Sequence, residues 1–214
     1  MNKKTYIIII IILLVIIGFL VYNQFFGKKQ TNNSNVGTIF KGDLIIGNEK
    51  APVTIIEYYS YLCGHCKTFE DEVLPKLTEN YIIAGKVKLV LRPFFLPGYN
   101  VLSQAVLCSN DQDKFLEYHN HLFANNDKID SVNVLEVFAA NVGMNKEKFS
   151  ECLESEKYKS KAEELYNQGI ADFNKANIPS NQQGTPTFFI NGEAIIGAMP
   201  YSDFVKVIEE KLTE

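Results

Sequence analysis

The sequence predicts an α/β fold: a strand–helix–strand unit, an inserted helical block and a closing antiparallel hairpin, with a membrane-spanning helix ahead of them. Three observations carry this. An apolar, β-branched run, Val53-Thr54-Ile55-Ile56-Glu57-Tyr58-Tyr59, leads into Cys63-Gly64-His65-Cys66 and then a helical pattern. Thr187 to Ile190 and Glu193 to Ile196 flank Asn191-Gly192, the favoured two-residue hairpin turn. Tyr6 to Phe26 is almost purely Ile, Leu, Val and Phe, long enough at about 1.5 Å per residue to cross the roughly 30 Å of bilayer hydrocarbon.

The N-terminal run exceeds the usual core of a cleaved signal, and no small-x-small site follows it. Residues 1–27 therefore read as an uncleaved single-pass anchor. Lys3 and Lys4 on one side balance Lys28 and Lys29 on the other, so charge does not orient the span. A short head before a signal-like span stays inside. An even number of cysteines also suits an oxidising compartment. The expected location is the cytoplasmic membrane, with the following domain on its outer, periplasmic or cell-surface side. Residues 28–38 are polar and aperiodic and read as a tether.

Residues 39–214 then form one domain, long enough for one core and too short for two. Ile39-Phe40 and Leu44-Ile45-Ile46 suggest an edge strand, ended by Gly47-Asn48. The run Val53 to Tyr59 is nearly all apolar, as a strand covered on both faces requires. A helix follows from Cys66 to about Asn80, with Phe69, Val73, Leu74 and Leu77 inward and Pro75 kinking it. Val87 to Leu91 is a second strand, parallel to the first through a right-handed crossover. The helical insertion spans about 98–178, too poor in apolar residues to stand alone, and packs on the site. A final helix, about Tyr201 to Leu212, turns Phe204, Val205 and Ile208 inward.

Chemistry concentrates at Cys63 and Cys66. The first cysteine lands at a helix N-terminus, where free N–H groups and the dipole favour a thiolate, and the spacing lets the two sulfurs meet. A cationic His65 would add to this. Glu57, the one carboxylate in the strand, is read as a partly buried acid with a raised pKa. It could exchange a proton with Cys66. Cys-x-x-Cys is also half of a zinc site, and a structural module using all four cysteines is the alternative of another class. Cys108 and Cys152 form no second such motif. His119 and His121, two apart in a helix, read as surface or core filler, and Tyr58, Tyr59 and Tyr61 as packing and groove wall. A net charge of −4 and the lack of a basic stripe exclude a nucleic-acid surface. No phosphate loop, nucleotide fingerprint or serine triad occurs, so no cofactor and no metal is expected.

Cys-Gly-His-Cys after an apolar strand, with the distant Gly184-Thr185-Pro186-Thr187-Phe188, resembles the DsbA-like branch of the thioredoxin superfamily. Gly47-Asn48-Glu49-Lys50-Ala51-Pro52-Val53-Thr54 is similar too, as is Lys114-Phe115-Leu116-Glu117-Tyr118-His119 with Leu122-Phe123. The likeness covers about Asp43 to Leu212. It implies a thioredoxin-like fold with the helical insertion and dithiol–disulfide exchange, with Cys63 as nucleophile, Cys66 as resolving thiol and Glu57 as the buried acid. It further implies a cis Pro186 beside the disulfide, Thr185 offering its backbone to substrate, and a second disulfide, Cys108–Cys152. Implied partners are reduced or unfolded exported proteins and a quinone-linked membrane thiol oxidase. Oxidation of substrates is the first reading; isomerase or reductase activity is the second.

Overall fold

A computed structural model describes residues 36–95 and 98–214. The anchor assigned to residues 1–27 and most of the tether lie outside them. Among the described residues no helix is long and apolar enough to cross a membrane.

Among the described residues five strands form one mixed sheet: β1 (Leu44–Gly47), β2 (Val53–Tyr59), β3 (Val87–Pro93), β4 (Thr187–Ile190) and β5 (Glu193–Ile196), in the order β1-β3-β2-β4-β5. β2 is central. It runs parallel to β3 and antiparallel to β4, with Glu57 opposite Leu91 and Phe188. β1 and β5 are antiparallel edges. The β4–β5 turn places Asn191 at φ +46° and Gly192 at φ +90°, the left-handed pair that a tight hairpin requires.

Because side chains alternate along a strand, β2 divides its residues between two cores. Ile55 and Tyr59 join Phe69, Leu89, Leu91, Phe188 and Phe204 on one face; Ile56 and Tyr58 join Val90, Phe94, Phe173 and Phe189 on the other. Glu57 shares the first face with Ile55 and Tyr59.

The helix after the dithiol, α1, is continuous but uneven. It starts as α-helix (Gly64–Thr68), loosens to a π turn (Phe69–Val73), tightens over Leu74–Leu77 and loosens again over Thr78–Ile82. Pro75 explains the first π turn. It has no N–H to give, and its ring would clash in a regular turn, so the bond closing this turn reaches from Leu74 back to Phe69.

The insertion between β3 and β4 holds α2 (Val101–Asn110), α3 (Phe115–Ala124), α4 (Val132–Asn141), α5 (Lys146–Glu154) and α6 (Lys159–Lys175). The apolar residues of α2 to α5, among them Val106, Leu122, Leu135 and Phe149, belong to the same core as the sheet's first face. α6 covers the second face through Phe173. Gly169 lets it approach, since a Cβ there would lie 2.7 Å from the Phe94 ring. The last helix, α7 (Tyr201–Thr213), buries Phe204 and Ile208.

Two features depart from the sequence reading. Residues Val36 to Thr38, assigned to the tether, pack on the domain: Val36 is buried in the second core and the Thr38 carbonyl accepts a 2.6 Å bond from Arg92. The second strand also runs beyond Leu91 to Pro93. Its Arg92 is wholly buried, paired with Asp43 at 2.7 Å and Asp172 at 3.5 Å, and donates to the Tyr58 hydroxyl at 2.9 Å. This cluster ties the N-terminal segment, the sheet and α6 together. Nothing in the local pattern marks Arg92, whose partners are distant in sequence.

Candidate active site

The chain leaves β2 at Tyr59, turns at Ser60, and presents Cys63 as the residue capping α1, with extended backbone (φ −99°, ψ 117°). An N-cap side chain faces the unpaired N–H groups of the first turn. Cys63 is partly exposed and Cys66 fully buried, both as free thiols.

The two thiols are driven apart. Cys63 is lowered to about 5, first by the hydrogen bond it accepts from the Cys66 thiol. Burial opposes this; Thr185 and the main-chain N–H groups of Cys66 and His65 add to the lowering. His65 thus acts on the sulfur through its backbone, and its exposed imidazole is not among the leading causes, contrary to the expectation from sequence. Cys66 is pushed far up, mainly by burial, then by its bond to Cys63 and by Glu57, whose ionised form would oppose a second negative charge there. The Ser60 N–H donates to its sulfur at 3.4 Å.

Across from Cys63 lies the loop before β4. The Thr185–Pro186 peptide is cis. In the protonated state the Cys63 thiol donates to the Thr185 carbonyl at 3.2 Å. The loop is held by the Thr187 hydroxyl, which donates to the Gly184 carbonyl, and by the Gly197 N–H, which donates to the Pro186 carbonyl.

Glu57 is completely buried and neither carboxylate oxygen has a hydrogen-bond partner. Burial, then the charges of Glu70 and Cys63, raise its pKa well above the ordinary carboxylate range, so it keeps its proton. The protonation of Glu57 thus bears on both cysteines, and theirs on it.

Cys108 and Cys152 are bonded to each other, joining α2 to α5 with 6.0 Å between their Cα atoms. A zinc site built from all four cysteines is therefore not available. Tyr58, Tyr59 and Tyr61 are fully buried and pack in the cores, so none of them forms an exposed wall. Sequence reasoning missed Glu70 and undervalued His119. His119 is fully buried; its Nδ1 lies 2.8 Å from the Tyr61 hydroxyl and its Nε2 3.1 Å from Glu70. Glu70 follows Cys66 by one helical turn, a spacing that could have drawn notice. His121 packs separately against Phe138.

An asymmetric dithiol at a helix N-terminus, facing a cis-proline loop on this sheet, defines a dithiol protein of thioredoxin fold. A family model described as Thioredoxin matches residues 40–210, and the chain belongs to that family. Within it the architecture is DsbA-like. The crystal structure of oxidised BdbD from Bacillus subtilis superposes with a TM-score of 0.70 at 26% identity, covering 81% of this chain and 95% of that one. Wolbachia pipientis alpha-DsbA1 gives 0.69 at 25%, covering 82% and 93%. By sequence, the Bacillus subtilis disulfide bond formation protein D is 26% identical over 80% of this chain and 78% of its own length. A Rickettsia typhi protein described as a protein-disulfide oxidoreductase is 31% identical over 72% of this chain and 56% of its own. The chain spans about half the length of the Rickettsia relatives it matches.

Proposed function

We propose that this protein is a thiol:disulfide oxidoreductase that introduces disulfides into exported proteins. The observation that carries the reading is the asymmetry of the pair: a partly exposed Cys63 held as thiolate, and a buried Cys66 held as thiol. The names of the matched relatives, a disulfide bond formation protein among them, support it.

In the cycle, a substrate thiolate attacks Cys63 Sγ of the oxidised protein. The Cys63–Cys66 bond breaks, and Cys66 leaves and takes a proton from Glu57. A second substrate thiolate then attacks the substrate sulfur of the mixed disulfide and expels Cys63 as thiolate. The substrate gains a disulfide, and two electrons stay on the protein. Thr185 and cis-Pro186 would hold the substrate chain beside Cys63. Stabilising that thiolate stabilises the reduced form, which makes the disulfide oxidising. A quinone-linked membrane thiol oxidase would collect the electrons. The apolar run Tyr6 to Phe26 supports residues 1–27 as anchor, with the domain outside the cytoplasmic membrane.

Trapping tests the roles. Cys66→Ala should accumulate mixed disulfides with exported proteins and Cys63→Ala should not; equal trapping by both would refute the assignment. A reduction potential near thioredoxin's, about −270 mV, would refute the oxidising direction and leave reductase chemistry.

A further inference from the structure

Beneath the dithiol lies a polar chain buried in the first core that the exchange cycle does not use. The Tyr59 and Tyr61 hydroxyls are 3.1 Å apart. The Tyr61 hydroxyl meets His119 Nδ1, and His119 Nε2 meets Glu70 Oε1. With a neutral imidazole, one arrangement of donors satisfies the whole chain: Tyr59 O–H to Tyr61, Tyr61 O–H to Nδ1, and Nε2–H to the carboxylate. Each buried polar group is satisfied, and the chain ends on Glu70. The imidazole itself is clamped edge-on by Tyr59 and Phe123, with ring centres 5.2 and 5.0 Å away. It is fully buried, on α3 of the insertion; Glu70 is on the helix that carries the dithiol.

We propose that His119 is a positioning residue of the dithiol site: by holding Glu70 against the active-site helix it keeps a second carboxylate bearing on Glu57. The inserted domain thereby governs the acid that serves Cys66. The role given to Glu57 in exchange rests on the function proposed above; the control of Glu57 by His119 does not.

Glu57 has no hydrogen bond of its own, so its proton is held by burial and by neighbouring charge alone. The titratable groups that bear on it are Glu70, Cys63 and Cys66 of the active-site turn and helix, and Tyr59 of its own strand. Its cross-strand neighbours Leu91 and Phe188 bring no charge. After burial itself, Glu70 is the group outside the dithiol that bears most on Glu57. The Glu70 side chain is 8% exposed. Freed of His119, it is at the edge of solvent and can turn outward, taking its charge off Glu57.

The test reads Glu57 directly, by the ¹³C shift of its side-chain carboxyl titrated in the full-length protein. Glu70→Gln removes the charge while keeping an acceptor for Nε2–H, and should move the Glu57 midpoint down by on the order of one pH unit. His119→Leu should move it the same way, and the double variant should move it no further than either alone. His119→Gln, which can accept from Tyr61 and donate to Glu70, should restore the parent midpoint. Tyr61→Phe, a gentler change that unpins only Nδ1, should give a smaller downward shift and serves if His119→Leu does not fold. An unmoved midpoint in both His119→Leu and Tyr61→Phe overturns the proposal, as do shifts of His119→Leu and Glu70→Gln that simply add.

A second measurement separates this proposal from the function it builds on. With glutathione bonded to Cys63, Cys66 gives its proton to the Glu57 carboxylate and attacks the Cys63 sulfur, and glutathione leaves as thiolate; the pH profile of that release should follow the Glu57 midpoint. A midpoint that moves while the release profile stays fixed would remove Glu57 from the exchange step and leave the positioning by His119 standing.

Discussion

The thiolate at Cys63 depends first on its neighbour at Cys66, and that dependence can be measured by deleting one donor. Cys63 sits at about 5, against an ordinary 9.0, and the largest cause is the hydrogen bond from the Cys66 thiol. The smaller ones come from Thr185 and from the backbone N–H groups of the first turn. A charge-assisted bond to a thiolate lowers its pKa by roughly one to two units, so Cys66→Ala should raise the Cys63 midpoint to roughly 6–7. Cys66→Ser keeps an O–H donor and should stay close to the parent. Thiolate absorbance near 240 nm, followed from about pH 3 to pH 9, reads the midpoint. Cys108 and Cys152 do not interfere because they are bonded, and burial keeps Cys66 out of this range. At pH 5 the thiolate fraction should fall from about half to between about a tenth and a hundredth. Alkylation would fall less, because the higher-pKa thiolate is the better nucleophile. If Cys66→Ala titrates with the parent, the neighbour is not the donor; a parent midpoint near 9 would refute the electrostatic account of the whole site.

Three further outcomes are expected. The reduced protein should be more stable than the oxidised one at pH 7. Cys63 is depressed in the fold, so this advantage is complete above about 9 and is lost as pH falls through about 5. Discounted for solvent screening at a partly exposed sulfur, it is on the order of 1 kcal/mol at pH 7 and should vanish by about pH 4 in paired melting curves. Glu57→Met removes two buried oxygens without partners, and should raise stability in urea titrations by about 1–3 kcal/mol while slowing release from Cys63. Arg92→Met leaves Asp43 and Asp172 buried without their cation. It should cost about 3–5 kcal/mol, read by the same titration, with the Cys63 midpoint unchanged.

What could be read from the chain follows from how local each signal is. The central strand, the dithiol at a helix start and the Asn191-Gly192 hairpin are written in contiguous residues, and each has its physical reason within a few positions. Glu57 was legible because a lone acid in an apolar strand has few explanations. The groups that condition it were not. Glu70, Tyr61 and His119 come from three separate segments, and only packing brings them together. The same holds for Arg92, which reads as the end of a strand and is in fact the centre of a buried ion cluster. His65 differs in another way: its residue type draws attention to the imidazole, while the leading influence it has on Cys63 comes through the peptide N–H.

The sheet order has a consequence for how the chain is assembled. β2 bonds to β4, yet the whole insertion, with its Cys108–Cys152 link, lies between them in sequence. Ordering two strands so far apart carries a large loop-closure entropy, repaid once the intervening helices have condensed. The loop bearing Thr185 and Pro186 leads directly into β4, so its place opposite Cys63 depends on that long-range pairing, whereas the dithiol follows β2 within a few residues. The site thus joins a reactive pair written in one local segment to a facing loop that only the completed sheet supplies.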